Sequence, residues 1–346
     1  MGDASPTDST ATAAPQDSEN TTFLIDSQGR RISYLRLAIT DRCNLRCQYC
    51  MPEEGISSVD HLSTLSYEEL EFLVSMFLRL GISKVRITGG EPFVRKGCMD
   101  FLRRLKEKKG VPQLFLTTNG VETWRHMTEL RSIGISGINL SLDALNRDRF
   151  QQITRRDSFD AAIRTFELAL EFGIPLKINS VVLEDTTDDE IRQLGELSKN
   201  NPISVRFIEK MPFSGKNQRA ADSGQALLVR LHRIFPEMVE TQASGVATAR
   251  LFSYPGFTGT IGIIEGSSRN FCATCNKVRI TPTGMLKACL YDNGILDLRS
   301  LIRDGITAAE LADKVISSVG KRLADGRLTE SACSQGVQPS MASIGG

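Results

Sequence analysis

Between residues 31 and 211 the apolar positions of this chain switch period again and again. Short runs at 31–40, 84–89, 113–118, 137–142, 175–182 and 204–209 read as strands. The runs between them repeat their apolar residues every three to four positions, as amphipathic helices do. The first helical run opens on Ser66-Tyr67-Glu68-Glu69, a capping box in which serine and glutamate satisfy backbone donors at a helix start. Leu70, Leu73, Val74 and Phe77 then share a face, and Gly81 ends the run. Thr187 and Glu190 repeat the box ahead of Ile191, Leu194 and Leu197. Six such units predict parallel strands joined by helical crossovers. Periodicity alone fits a doubly wound sheet as well as an incomplete barrel. Three distinctive segments, however, each follow a different strand, where barrels carry their chemistry. The expected fold is therefore α/β, an incomplete (βα)6 barrel.

Beyond residue 211 the pattern changes. The stretch 213–224 is polar and rich in Gly, Ser and Lys, which suits a linker. A short helix at 225–235, a hairpin-like pair of apolar runs within 251–264, a cysteine group, two helices and a polar tail are expected to follow. The predicted organisation is a disordered tail at 1–22, the barrel at 23–220, and a smaller C-terminal domain at 221–346 ending in Gly-Gly. The 346 residues easily bury a core, and a net charge of +1 argues against a nucleic-acid or membrane-surface partner. No apolar stretch approaches the ~20 residues of a membrane span. The first 29 residues hold five acids and no Lys or Arg, unlike a mitochondrial transit peptide. Eight cysteines in clusters point to metal in a reducing compartment, so the cytoplasm is the expected location.

Cys43, Cys47 and Cys50 stand at C-x3-C-x2-C directly after the first strand. Three thiolates on a cubic iron–sulfur cluster leave one iron free to bind a small molecule. A zinc knuckle is the competing reading, but this spacing is uncommon for zinc and no histidine lies nearby. The segment Cys43-Asn44-Leu45-Arg46-Cys47-Gln48-Tyr49-Cys50 resembles the signature of the radical S-adenosylmethionine (SAM) enzymes, and Gly89-Gly90-Glu91-Pro92 after the second strand resembles their SAM amino-group motif. A second group comprises Cys272, Cys275 and, fourteen residues on, Cys289. It reads either as structural zinc with Cys98 or Cys333 as fourth ligand, or as another cluster with an open iron.

The ordered segments Asp41–Cys47, 86–92, Thr117-Thr118-Asn119-Gly120, Asn139–Asp143, Arg206–Glu209, Phe271–Asn276 and Ile344-Gly345-Gly346 together resemble the GTP 3',8-cyclase family of molybdenum-cofactor biosynthesis, from about Leu24 to the end. The resemblance implies a [4Fe–4S] cluster on Cys43, Cys47 and Cys50, and SAM held by Tyr49, Gly90, Ser141 and Met211. It implies a second [4Fe–4S] cluster on Cys272, Cys275 and Cys289 that meets the guanine base. GTP would lie among Arg36, Arg86, Thr117, Lys177, Lys277, Val278 and Arg279, and the catalytic set would be Arg36, Arg86, Lys277, Arg279, Gly345 and Gly346. Lys277 stands where the family commonly has Arg, replacing a planar fork by a point charge. Cys98 and Cys333 match no ligand position. The implied reaction cyclises GTP to (8S)-3',8-cyclo-7,8-dihydroguanosine 5'-triphosphate. Implied partners are a reductant, the downstream cyclic pyranopterin monophosphate synthase and, as an open alternative, a second copy in a homodimer. Two rivals remain at this stage, a radical SAM peptide-modifying enzyme with an auxiliary cluster and a non-catalytic zinc-binding module.

Overall fold

The computed structural model describes residues 22–56, 59–211, 224–241, 247–266, 269–333 and 340–345. The expected tail at 1–22 (apart from Thr22), the expected linker at 213–224 (apart from Gly224) and Gly346 lie outside them.

Six parallel strands follow one another in both sequence and space: β1 (Tyr34–Ala38), β2 (Lys84–Thr88), β3 (Gln113–Thr118), β4 (Gly137–Ser141), β5 (Leu176–Val182) and β6 (Ser204–Glu209). A doubly wound sheet would reverse its strand order at a switch point; here no reversal occurs among these strands, as in a barrel wall. The later strands are β7 (Val239–Thr241), β8 (Arg250–Ser253), β9 (Thr260–Ile264), β10 (Lys277–Ile280), β11 (Met285–Lys287) and β12 (Leu296–Asp297). They extend the same sheet at both ends, in the order β12-β11-β10-β1-β2-β3-β4-β5-β6-β9-β8-β7. β10 runs parallel to β1 and β9 parallel to β6, while the outermost pairings are antiparallel. The C-terminal part therefore flanks the six-strand wall on both edges.

Strand side chains alternate between two faces. Leu35, Leu37, Val85, Ile87, Leu114, Leu116, Val205, Phe207, Val278 and Ile280 are fully buried on the helix-covered face. Leu70, Leu73, Val74 and Phe77 of the helix Tyr67–Arg79 pack into the same core. Full burial of such a side chain stabilises by roughly 1.5–3 kcal/mol, so this face holds the wall together. Both predicted capping boxes form, at Ser66/Glu69 and Thr187/Glu190. Gly81 takes φ +79° after the first helix, and a Cβ there would strike the Phe23 ring.

After β12 the described residues form four helices where two were expected: Leu298–Arg303, Ala308–Gly320, Gly326–Ala332 and Met341–Ile344. Three of them are too short to show a helical period, and side-chain caps define their starts. Ser340 Oγ accepts from Ala342 N, Asp325 Oδ1 accepts from Arg327 N and Leu328 N, and Asp297 Oδ1 accepts from Ser300 N. The last helix stands where a polar tail was expected. Its cap, and the packing of Met341 and Ile344 with Tyr291, overcome composition.

Candidate active site

The other face of the strands is polar, and its register brings like charges side by side. Arg279 on β10 is the direct partner of Arg36 on β1, which is the direct partner of Arg86 on β2. One step along the strands, Tyr34 lies between Lys277 and Lys84. Farther round the wall, Thr117 pairs with Asn139, Asn139 with Lys177, and Asn179 with Arg206. Like charges directly opposite one another destabilise a sheet, so this row carries a cost unless an anion neutralises it. Within the curve of the wall lies a cavity of about 530 Å³. Arg36, Arg86, Thr117, Lys177, Lys277 and Arg206 all line it.

The charges shift one another. Burial, then Arg279, pushes the Arg36 guanidinium below the usual arginine range, and burial and Arg86 do the same to Arg206. Lys177 falls to about 8, through burial and then Arg206, Lys84 and Arg86. Burial alone would raise the Tyr34 phenol, but Arg86, Arg36 and Lys84 bring it down to about 7. Tyr34 Oη accepts from Arg86 Nε, and Arg86 Nη1 donates to Leu116 O at 2.8 Å. Arg206 Nε and Nη2 and Asn179 Oδ1 are buried without a hydrogen-bond partner among the described residues. Buried polar atoms are normally paired. An anion-rich ligand with several acceptor oxygens is what this face lacks.

Cys43, Cys47 and Cys50 line the same cavity, with Tyr49, Gly90, Ser141 and Met211. The cysteine loop and the Gly-Gly loop lie back to back. Gly90 N donates to Thr40 O at 2.8 Å, and a Cβ on Gly90 would collide with the carbonyls of Arg42 and Asp41. Glu91 turns away from the cavity and ties the loop to the end of β3, accepting from Asn119 N at 2.7 Å and from Thr118 Oγ1 at 2.9 Å. Asn119 Nδ2 in turn donates to Asn44 Oδ1 at 2.7 Å. Tyr49 Oη donates to Asp143 Oδ2 at 2.8 Å, fixing the aromatic ring of the motif. Burial pushes all three thiols up, Cys43 to about 12. They are poor free nucleophiles at neutral pH, whereas a soft metal deprotonates a thiol outright. Three half-buried thiols facing a roomy cavity suit a cluster with one open iron.

Cys272, Cys275 and Cys289 line a smaller neighbouring pocket with Lys277 and Arg279, and Lys277 faces both spaces. Among the described residues no three Cys, His, Asp or Glu side chains converge as they would on one ion. Neither Cys98 nor Cys333 joins this pocket, as a tetrahedral zinc site would need. The last helix reaches both halves of the site. Ser340 Oγ donates to the Cys50 carbonyl at 2.7 Å, and Gly345 O accepts from Arg279 Nη1 at 3.1 Å and Arg36 Nη2 at 3.5 Å.

Thus most expected residues meet around one cavity, while Arg279 and Gly345 border it from the second pocket and the tail. Val278 does not meet them. Its side chain is fully buried in the helix-covered core, so only its backbone can face a ligand. Tyr34, Lys84, Asn179 and Arg206 were absent from the expected set yet line the cavity. Their signal was present as a two-residue period: Tyr34-x-Arg36, Lys84-x-Arg86, Lys177-x-Asn179, Ser204-x-Arg206 and Lys277-x-Arg279.

Residues 37–197 match the Radical SAM superfamily, and residues 203–327 match Molybdenum Cofactor Synthesis C. The chain is 41% identical over 331 residues to a protein named GTP 3',8-cyclase from Geobacter sulfurreducens, covering 93% of this chain and 99% of that one. It is 39% identical over 303 residues to molybdenum cofactor biosynthesis protein 1 of Homo sapiens, covering 87% of this chain and 48% of that one. The chain thus spans about half the length of that human protein and of its Bos taurus counterpart. Among solved structures, Streptococcus suis SuiB aligns with a TM-score of 0.60 at 14% identity, covering 88% of this chain and 69% of that chain. That likeness is one of fold.

Proposed function

This chain belongs to the GTP 3',8-cyclase family of radical SAM proteins, and from that premise we propose that it joins C3' of GTP to C8 of the guanine base. The product is the 3',8-cyclised 7,8-dihydro-GTP that feeds molybdenum-cofactor synthesis. The observation that carries the reading is the row Arg279–Arg36–Arg86 beside Lys277 and Lys177, a set of fixed cations matched to a triphosphate. Radical SAM membership implies a [4Fe–4S] cluster and SAM, and the proposal takes Cys43, Cys47 and Cys50 as the cluster's ligands. A second [4Fe–4S] cluster on Cys272, Cys275 and Cys289 is part of the proposal.

Bound there, the first cluster would supply the electron that cleaves SAM to methionine and a 5'-deoxyadenosyl radical, and the second an open iron for the base. The chain's own residues do the rest. Tyr49, Gly90, Ser141 and Met211 hold SAM against the cysteine loop. Arg36, Arg86, Thr117, Lys177, Val278 (through its backbone), Lys277 and Arg279 hold GTP so that its 3' hydrogen faces SAM. The carbonyl of Gly345 keeps Arg36 and Arg279 aimed inward, and Gly346 is retained in the catalytic set on the family resemblance alone. The row of cations holds the triphosphate and so fixes the ribose against the base, which is orientation paid for by phosphate binding. The 3' hydrogen atom would pass to the 5'-deoxyadenosyl radical, giving 5'-deoxyadenosine; the new C3'–C8 bond leaves an unpaired electron on the base, and its conversion to the dihydro base takes up one electron and one proton, so the partner set includes a reductant. The same reading assigns SAM chemistry to residues 23–220 and base binding to 221–346. It places the protein in the cytoplasm, upstream of cyclic pyranopterin monophosphate synthase, with a homodimer as an open assembly.

The test is anaerobic incubation of the purified, iron-loaded protein with GTP, SAM and dithionite. The expected result is a GTP-dependent 3',8-cyclised nucleotide with stoichiometric 5'-deoxyadenosine, from protein carrying about eight irons and eight sulfides, two [4Fe–4S] cubes. SAM cleavage with GTP recovered unchanged would refute it.

A further inference from the structure

The two cysteine groups differ in the charges around them. Around the first, the buried charges that act on the thiols are carboxylates, Glu91 on Cys43 and Asp143 on Cys47. Around the second, Arg322 and Lys277 act on Cys275 while Asp325 acts on Cys272, and a turn at the start of the described chain brings in a further guanidinium, Arg30. Residues 24–32 double back, with Ile32 N donating to Leu24 O at 2.8 Å and Gly29 taking φ +72° at the bend. This turn carries Arg30 onto two distant segments, where its Nη1 donates to the carbonyls of Cys272, 242 residues away, and Ala324, 294 residues away, both at 2.7 Å. Arg30 Nε donates to Asp26 Oδ2 at 2.7 Å. The same carboxylate oxygen lies 3.6 Å from Arg322 Nη1, which donates to the Cys275 carbonyl at 3.1 Å. The side chains of Arg30, Asp26 and Arg322 are 10%, 0% and 5% exposed. Two buried arginines joined by one buried aspartate therefore grip both ends of Cys272-Ala273-Thr274-Cys275, and the trio keeps one net positive charge.

Resting on the reading that Cys272, Cys275 and Cys289 hold an iron–sulfur cluster, we propose that Arg30, Asp26 and Arg322 form a positioning bracket that raises the reduction potential of that cluster. Reduction adds negative charge, and a buried cation stabilises the reduced form more than the oxidised one. Outer groups that hold a ligand's backbone also fix the ligand's geometry, so position and potential are set by the same contacts. The carboxylates beside the first group act in the opposite sense and keep that site at lower potential. The bracket thus separates two chemically similar sites by charge, using a segment from the far end of the chain.

The test is an EPR-monitored redox titration of the anaerobic, full-length holoenzyme, following the signal that does not respond to added SAM. Arg322→Gln removes a positive charge and should move that midpoint to more negative potential. Asp26→Asn removes the negative charge between the arginines and should move it to more positive potential. Arg322→Lys should stay near the parent value. Opposite shifts from the two neutralising variants, with iron content retained, support the bracket. Unchanged midpoints, shifts of one sign, or loss of the second cluster's iron in all three variants alike would overturn it, the last marking a merely structural clasp. A parent protein with no second iron signal would overturn the two-cluster reading and this proposal together, and is told apart by its iron content before any variant is made.

Discussion

Arg206→Met should make the ligand-free protein more stable and GTP binding weaker. Arg206 points from β6 into the cavity beside Asn179, and its Nε and Nη2 are buried without partners among the described residues. Burial and the neighbouring Arg86 both disfavour its charge. Each unsatisfied buried polar group costs roughly 1–3 kcal/mol, and neutral, well-packed replacements of buried charges are often stabilising. Because the guanidinium also opens onto the cavity, we expect about 1–2 kcal/mol of added stability without ligand, or roughly 1.5–3 °C in Tm for a chain of this size. With a triphosphate present the balance reverses. A charge-assisted hydrogen bond contributes about 1.5–3 kcal/mol, so Kd for GTP should rise roughly 10- to 150-fold. Anaerobic thermal unfolding with and without GTP, alongside calorimetric titration in the absence of SAM, measures both effects. The GTP-induced rise in Tm should shrink as the ligand-free Tm climbs. A methionine variant that melts lower without ligand, or binds GTP as well as the parent, would refute the view that these cations are held at a cost for an anion.

Three further outcomes follow from the same geometry. Raising the pH through about 7 and then about 8 takes a proton from Tyr34 and then from Lys177, adding a negative charge and removing a positive one, so GTP affinity should fall across that range. Tyr34→Phe and Lys177→Arg should each flatten the Kd–pH profile, and a flat parent profile would exclude both groups from the response. Replacing Cys272, Cys275 and Cys289 by Ala should remove about half the iron and leave SAM cleavage possible; loss of all iron, or of none, would count against two separate sites. Deleting Gly345 and Gly346 removes the carbonyl that accepts from Arg279 and Arg36, so iron content and folding should persist while the cyclised nucleotide is lost and uncoupled SAM cleavage remains. Full cyclising turnover in the truncated protein would show that the tail does not aim the arginines.

Local chemistry made a large part of this protein legible before its structure. The six βα units, the boxes at Ser66/Glu69 and Thr187/Glu190, and the loop of Cys43, Cys47 and Cys50 are short-range features, encoded within a few residues of one another. The limits of β3 and β6 match those expected, because each strand runs between clear turn signals. Which face each strand turns inward was also written locally, in Lys84-x-Arg86 and Ser204-x-Arg206, although Lys84 and Arg206 were not read from it. Other features depend on pairing between distant segments, which no local propensity specifies. Only the sheet could decide that β10 lies beside β1 and β9 beside β6, and so that Arg279, Arg36 and Arg86 form one row. The turn that carries Arg30 to Cys272, and the helical tail that reaches Cys50 and Arg279, arise in the same way. The residue types and their alternation were local properties of the sequence; their meeting across about 240 residues required the hydrophobic face of the sheet to select one register and hold every strand in it.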